Sequence, residues 1–332
     1  MYQLKRESYL DIAKGLGIIM VILGHIGIGF ATKWLYSFHL PLFFFVSGIC
    51  FHYKENFFHY LKKKVKRCLI PYFVFGILIV LVESKTGYLY NTGFKSNLTY
   101  LLVQQRYSTL WFLATLFFAS IFFYFLVKFC NEKPAIVLTV SLVISTIFVI
   151  LDQILISSLP WNIDTAFIVL GFMGFGYFIR NYKDTLNRIL AADSKKKQKL
   201  ALLFLIGNVT FFAINLIITG YSLEMYWNSY GIYPLTYISA ILGCMFIIVI
   251  SDSIKIKAIE SLGRNSMTYF ALHQSIFLWP YTLLLRRIGL ITSTPSILNV
   301  ISKLILFVLI IISCFVVDKI IRLTRLKFIV EA

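Results

Sequence analysis

Apolar residues run along this chain in long uncharged stretches, separated by short clusters of Lys and Arg. Ten stretches can be read: 15–32, 34–53, 68–82, 107–127, 134–151, 165–179, 200–223, 225–251, 265–285, and 288–302 continuing past Lys303 to 317. A membrane-spanning helix needs roughly 20 mostly apolar residues. The third and sixth stretches are short at 15 residues, and flanking Lys or Arg can lengthen them by snorkelling. Lys303 is expected to snorkel in the same way. Continuous runs rather than weak alternation predict helices, not a membrane barrel. The expectation is an all-α polytopic membrane protein, a bundle of about ten transmembrane helices. Residues 1–332 read as one integral-membrane domain with no separate soluble domain. The first stretch carries His25 and runs straight into the second, so it is not expected to be a cleaved signal peptide.

Composition strengthens this reading. Hydrophobic residues make up 59% of the chain and charged residues 14%, against about 45–50% and about 25% in soluble domains. The net charge of +18 would point to nucleic acid in a soluble protein. Here the basic residues lie between apolar runs, where they orient the chain, and no nucleic-acid partner is expected. With a cytoplasmic N-terminus, 24 of the 32 Lys and Arg fall on the inner side and 6 on the outer, with Lys14 and Lys303 inside spans. That bias predicts a multi-pass protein of the cell membrane with both termini cytoplasmic. The five cysteines are scattered, without metal spacing or a legible disulfide framework, and no metal is expected.

Ionisable groups at membrane depth are costly and mark candidate sites. The first span holds Asp11, Lys14 and His25. Lys14 and His25 are eleven residues apart, which returns to within about 20° of the same face and rises roughly 16 Å. One stripe therefore carries an acid and a base near the cytoplasmic end and an imidazole in the outer half. Asp11 and Lys14 also fit plain interfacial roles. His39 enters the second span at a depth similar to His25, with Pro41 expected to leave a carbonyl unpaired and Ser47-Gly48 to permit close helix approach. A helix-packing hydrogen bond is the other reading of His39. Arg67, four residues before Pro71, is the residue of its basic segment best placed to meet a phosphate; most of the neighbouring lysines fit a lipid-facing patch. Arg264, Asn265 and Ser266 stand at the start of the ninth span, with His273 two turns deeper, and Asn265 or Ser266 also fits an ordinary helix cap. Trp111 fits a sugar-stacking aromatic at the outer end of the fourth span, or a belt residue.

Five segments, LDIAKGLGIIMVILGH (10–25), FHLPLFFFVSG (38–48), KRCLIPYF (66–73), LWFLATLF (110–117) and LGRNSMTYFALH (262–273), together resemble the acyltransferase family 3 membrane proteins. Within that family they are most similar to O-acetyltransferases related to fucose 4-O-acetylase. The spacing of Lys14 and His25 matches the family's pattern of a basic residue, ten residues, then His. The resemblance implies an acyl-CoA-dependent O-acyltransferase. Acetyl-CoA would be the donor, held by Lys14, Arg67, Arg264 and Asn265. His25, His39 and Asp11 would be catalytic. The acceptor would be a hydroxyl of a glycan or lipid-linked sugar, met by Trp111 and His273. The chemistry fits independently, since acyl transfer needs a base at the hydroxyl and a donor at the thioester oxygen, and imidazole can serve. A covalent acyl-His intermediate is compatible with the same residues. The competing class is a transporter or flippase for a lipid-linked sugar or small solute, in which the same groups would be relay or gate residues.

Overall fold

The computed structural model describes residues 7–53, 56–87, 93–104, 106–154, 159–291 and 297–330. Lys5, Arg6 and Lys54, counted on the inner side above, lie outside the described residues. The helices in chain order are α1 (Ser8–Ile26), α2 (Phe30–Tyr36), α3 (His39–Ile49), α4 (Phe57–Thr86), α5 (Phe94–Val103), α6 (Trp111–Phe129), α7 (Pro134–Ile154), α8 (Pro160–Ile168), α9 (Leu170–Asn181), α10 (Thr185–Leu190), α11 (Ser194–Thr219), α12 (Tyr233–Ser253), α13 (Lys257–Arg264), α14 (266–287) and α15 (Ile297–Leu323). No β-strand occurs among the described residues, only one isolated bridge between Glu224 and Ser229. The protein is an all-α polytopic membrane protein.

Seven helices are long and apolar enough to cross a membrane, and eight if α8 and α9, bent by 44°, count as one span. Two of the ten apolar stretches fall short of that measure, for different reasons. The second breaks at Ser37-Phe38 into the short α2 and α3. The ninth stays helical over 266–287 but carries His273, Gln274, Ser275, Tyr281 and Thr282 among its apolar residues. The count of ten is therefore not reached by length and composition. The two stretches that fall short are the ones carrying His39 and His273.

The break before His39 changes the reading of Pro41. Because α3 starts at His39, Pro41 lies in its first turn, where a missing N–H disrupts no helical bond.

The core is formed by α1, α3, α6, α9, α12 and α14, whereas α7, α11 and α15 expose most of their apolar length, as lipid-facing helices must. Close approaches rest on glycine. A Cβ added at Gly48 would fall 2.0 Å from the Met173 carbonyl oxygen, which brings α3 against α9 as the Ser47-Gly48 pair predicts. A Cβ at Gly263 would fall 1.6 Å from the Asp11 carbonyl oxygen, so the short α13 lies directly on the first turns of α1. α11 and α12 pair through Asn208, which is buried and donates to the Ser239 carbonyl at 2.9 Å while its oxygen accepts from Trp34 Nε1 at 2.7 Å.

Candidate acyl-transfer site

The stripe read along α1 has two differently furnished ends. At the first, the Asp11 carboxylate is buried and bonds Lys14 Nζ at 2.7 Å. Arg264 Nε reaches its other oxygen at 3.5 Å. Arg264 also pairs with Glu260 one turn back on α13. The approach of α13 enabled by Gly263 is what puts Arg264 within reach of Asp11. Asn265 follows directly, and its side chain makes no cap bond to α14, so the capping role open to it from the sequence is not taken. Arg67 is exposed on the π-helical turn Val65–Leu69 within α4.

At the other end, three imidazoles gather. The His25 and His273 ring centroids lie 5.1 Å apart. Tyr36 stacks on His39 at 4.9 Å and stands 6.3 Å from His25, bridging the two. His39 and His273 are buried. Their hydrogen bonds fix which nitrogen is open. His273 Nδ1 faces the Tyr269 and Phe270 carbonyls at 3.0 and 2.9 Å, and carbonyl oxygens need a donor. The proton therefore sits on Nδ1, and Nε2 is buried with no partner. His39 Nδ1 likewise faces the Leu35 carbonyl at 2.8 Å, within the preceding segment of its own chain. The Gln274 side-chain amide nitrogen lies 3.3 Å from His25 Nδ1; with that N–H donating, Nδ1 is the acceptor and the His25 proton is assigned to Nε2. The pair thus presents one N–H and one bare nitrogen at the same place.

Local structure explains this convergence. α14 turns π-helical over His273–Leu278, starting at His273 itself. The extra residue in that turn lets neighbouring positions His273 and Gln274 both address His25, which a regular helix would separate by about 100°. On the other flank, Lys303 Nζ donates to the Gly27 carbonyl at 2.6 Å and holds the end of α1 just past His25. The snorkelling expected of Lys303 is replaced by this cap.

A cavity of about 140 Å³ lies between the two ends. Lys14 and Ser266 line it, with Ile18, Phe43, Phe112 and Phe270. The Phe270 ring is 6.1 Å from the His273 ring. Phe270 therefore stands between this cavity and His273, and no imidazole lines the cavity itself. A larger void of about 280 Å³ is walled by Phe122, Phe125, Phe129, Phe167 and other apolar side chains, with the Cys130 thiol among them and no charged side chain or imidazole.

The sequence-derived candidates thus fall into separate places. His25, His39 and His273 come together. Asp11, Lys14 and Arg264 come together, and Asp11 lies fourteen residues of helix, about 21 Å, from His25. Trp111 is buried, edge-on to Tyr226 at 6.1 Å. Tyr36, Gln274 and Lys303 escaped the sequence reading as site residues, although Lys303, a charge inside a span, and Gln274, beside His273, each had a signal there.

The model of the acyltransferase domain of acyltransferase family 3 matches residues 7–319, nearly the whole chain. The chain belongs to that family and is a membrane acyltransferase. This favours the enzyme over the transporter or flippase reading. No curated protein and no solved structure matches it.

Proposed function

We propose that this enzyme transfers an acyl group, acetyl above all, from cytoplasmic acyl-CoA to a hydroxyl of a glycan or lipid-linked sugar. The protein then sits in the cell membrane with both termini, and the Lys14 end of α1, on the cytoplasmic side. The observation carrying this reading is the His25–His273 pair, with His25 on the same α1 stripe as Lys14, which lines a cavity.

The chemistry follows from the geometry. CoA is a polyanion, and its phosphates suit the cations at the Lys14 end, where Arg offers bidentate donors and Lys a point charge. Lys14 is held by Asp11, so a phosphate would share an already oriented ammonium. The axial distance from Lys14 to His25, about 16 Å, is similar to the reach of an extended pantetheine arm. The nucleotide then stays at the cytoplasmic surface while the thioester lies in the apolar cavity. At the imidazole pair, the bare nitrogen takes the proton of the acceptor hydroxyl and the N–H donates to the thioester oxygen as it gains charge. The hydroxyl oxygen bonds to the acyl carbon, the C–S bond breaks, and the thiolate leaves with the proton.

Mass spectrometry of surface glycans tests the reading in cells. Deleting the gene should remove an acyl group from a defined glycan, and the wild-type gene should restore it where His25→Ala does not. Identical glycan spectra with and without the gene would rule out a glycan acceptor.

A further inference from the structure

A second polar cluster lies where the segment preceding α6, the last turn of α7 and the first turns of α8 meet the loop 220–232. The Asp164 carboxylate is buried there. Its Oδ2 accepts from Arg106 at 3.4 Å and from the Asn228 amide at 3.0 Å. The same amide donates to Asp152, so one Asn228 nitrogen holds two carboxylates side by side. The hydroxyls of Thr165 and Tyr230 each donate to Asn228 Oδ1 at 3.1 Å. Asn228 is therefore fully committed to shaping this cluster. Three atoms within the cluster are not satisfied. Asp164 Oδ1, Asn162 Oδ1 and Thr109 Oγ1 are buried without a hydrogen-bond partner among the described residues. Buried polar atoms are almost always paired, and the two carbonyl-type oxygens are pure acceptors. What they lack is a donor.

The backbone supports the same conclusion. Arg106, Ser108, Trp161, Asn162 and Asn228 all hold φ between 51° and 61°, a region costly for side-chain-bearing residues and concentrated at functional sites. Glu224 and Ser229 exchange backbone hydrogen bonds at 2.8 and 3.0 Å, closing the loop into a short strap. Within this strap the Tyr226 hydroxyl donates to the Arg106 carbonyl, the Tyr226 ring stands 6.1 Å from Trp111, and Asn228 reaches the two carboxylates. Trp227, next to Asn228 in the strap, is 70% exposed and stands edge-on to Tyr226 at 4.7 Å.

We propose that Asp164, Asn162 and Asp152 form a subsite that holds a sugar ring of the acceptor by neighbouring hydroxyls. Adjacent hydroxyls donate to adjacent acceptor oxygens, and the C–H face of the ring lies on an aromatic. Another hydroxyl of the ring so held is the one that takes the acyl group. This inference rests on the acyl-transfer reading above and adds the residues that recognise the acceptor.

The test uses the purified full chain in lipid nanodiscs, acetyl-CoA as donor, and the methyl glycosides of glucose, galactose, mannose and fucose as probes. CoA release is measured without acceptor and with each glycoside. At least one glycoside should accelerate release. Asp164→Asn should raise its half-saturating concentration at least tenfold, and leave acetyl-CoA half-saturation and acceptor-free release within twofold. Asn162→Gly provides the second variant, because glycine accepts a φ of 51° and only the side chain is lost. It should shift the same parameter in the same direction, with an unchanged elution profile showing an intact fold. Unaltered glycoside dependence in both variants would overturn the subsite, as would a protein that releases CoA yet responds to none of the glycosides. A wild-type protein that releases no CoA under any condition would instead remove the acyl-CoA reading, and the subsite with it.

Discussion

The two ends of α1 share a helix and a stripe but are held together by different forces. At the Lys14 end, opposite charges face each other: Asp11 lies between Lys14 and Arg264, and Arg264 also leans on Glu260. At the His25 end the contacts are ring on ring, amide on ring and ring on backbone carbonyl. Paired charges tolerate an incoming polyanion, since an ammonium or guanidinium can share its donors between a carboxylate and a phosphate. Neutral rings locked by backbone carbonyls suit proton transfer, where each nitrogen must be committed to donating or accepting. Under the proposed function, this difference would separate binding from chemistry along about 16 Å of one helix.

The sharpest attempt to break that separation is His25→Ala. Turnover should fall about 10²–10⁴-fold, the usual contribution of a positioned acid–base group, while acyl-CoA affinity stays within a few-fold. Rates and equilibrium binding on the same purified preparation decide it. Near-normal turnover would take His25 out of the mechanism. A comparable loss of acyl-CoA binding would mean that the two ends do not divide the work.

The complementary substitution is Lys14→Ala. Losing one charge-assisted contact costs about 1.5–3 kcal/mol, so the apparent KM for acyl-CoA should rise roughly ten- to a hundredfold, with little change for the acceptor. Lys33→Ala and Lys95→Ala, on the side assigned to the outside, should leave it unchanged. Lost turnover at unaltered acyl-CoA affinity would move Lys14 to the chemistry. An effect of the outer lysines instead would reverse the proposed orientation.

How much of this was legible beforehand differs between the same two regions. Lys14 and His25 share a face by helical arithmetic alone, and hydropathy with the spacing of the basic clusters was enough for the membrane fold. His273 was visible as an ionisable group at depth. Its meeting with His25 was not, because it depends on a π-helical turn whose residues, His273–Leu278, carry no signature of one. Asp11 looked like a partner for the imidazole stripe. Yet a carboxylate three residues from Lys14, with Gly263 admitting Arg264, finds its cations at its own end of the helix. The Asp164 cluster was missed altogether. Its members come from positions 106, 152, 162–165 and 228, on two helices and two loops, each unremarkable by itself, and only tertiary structure brings them together. Trp111 fitted either a stacking aromatic or a belt residue, and its burial against Tyr226 leaves no open face for stacking.

A smaller effect is expected from Gly263→Ala, which attacks the construction of the charged end rather than its chemistry. The new Cβ would meet the Asp11 carbonyl oxygen at 1.6 Å, so α13 must retreat and carry Arg264 with it. Overpacking of this kind costs about 1–3 kcal/mol. The thermal midpoint should drop and acyl-CoA affinity should weaken, with the imidazole chemistry retained at saturating donor. Gly93→Ala, where a Cβ meets nothing, is the matched control and should be silent. Equal midpoints for the two variants would mean that the α1–α13 contact is not needed to hold the charged end together.

The smallest effect concerns a carboxyl on the loop 220–232. Glu224, on the strap outside the spans, is pushed up to about 7 by burial, partly offset by the Tyr226 backbone N–H it accepts at 3.4 Å. The folded protein therefore holds this proton where the unfolded chain has released it. For a raised carboxyl the sign is set by linkage: the unfolded state binds fewer protons, so stability falls as pH rises. The fall should span about pH 4.5 to 7 and level off above, where both states are ionised. A Glu224→Gln variant has no proton to lose, so its thermal midpoint should lack that slope, and the two curves should diverge with rising pH by a few degrees at most. Thermal unfolding of both proteins at half-unit pH steps measures it. If the variant kept the full slope, ionisation of Glu224 would have no energetic consequence. If the slope vanished, ionisation of Glu224 would be the event that couples the folding of the strap to pH.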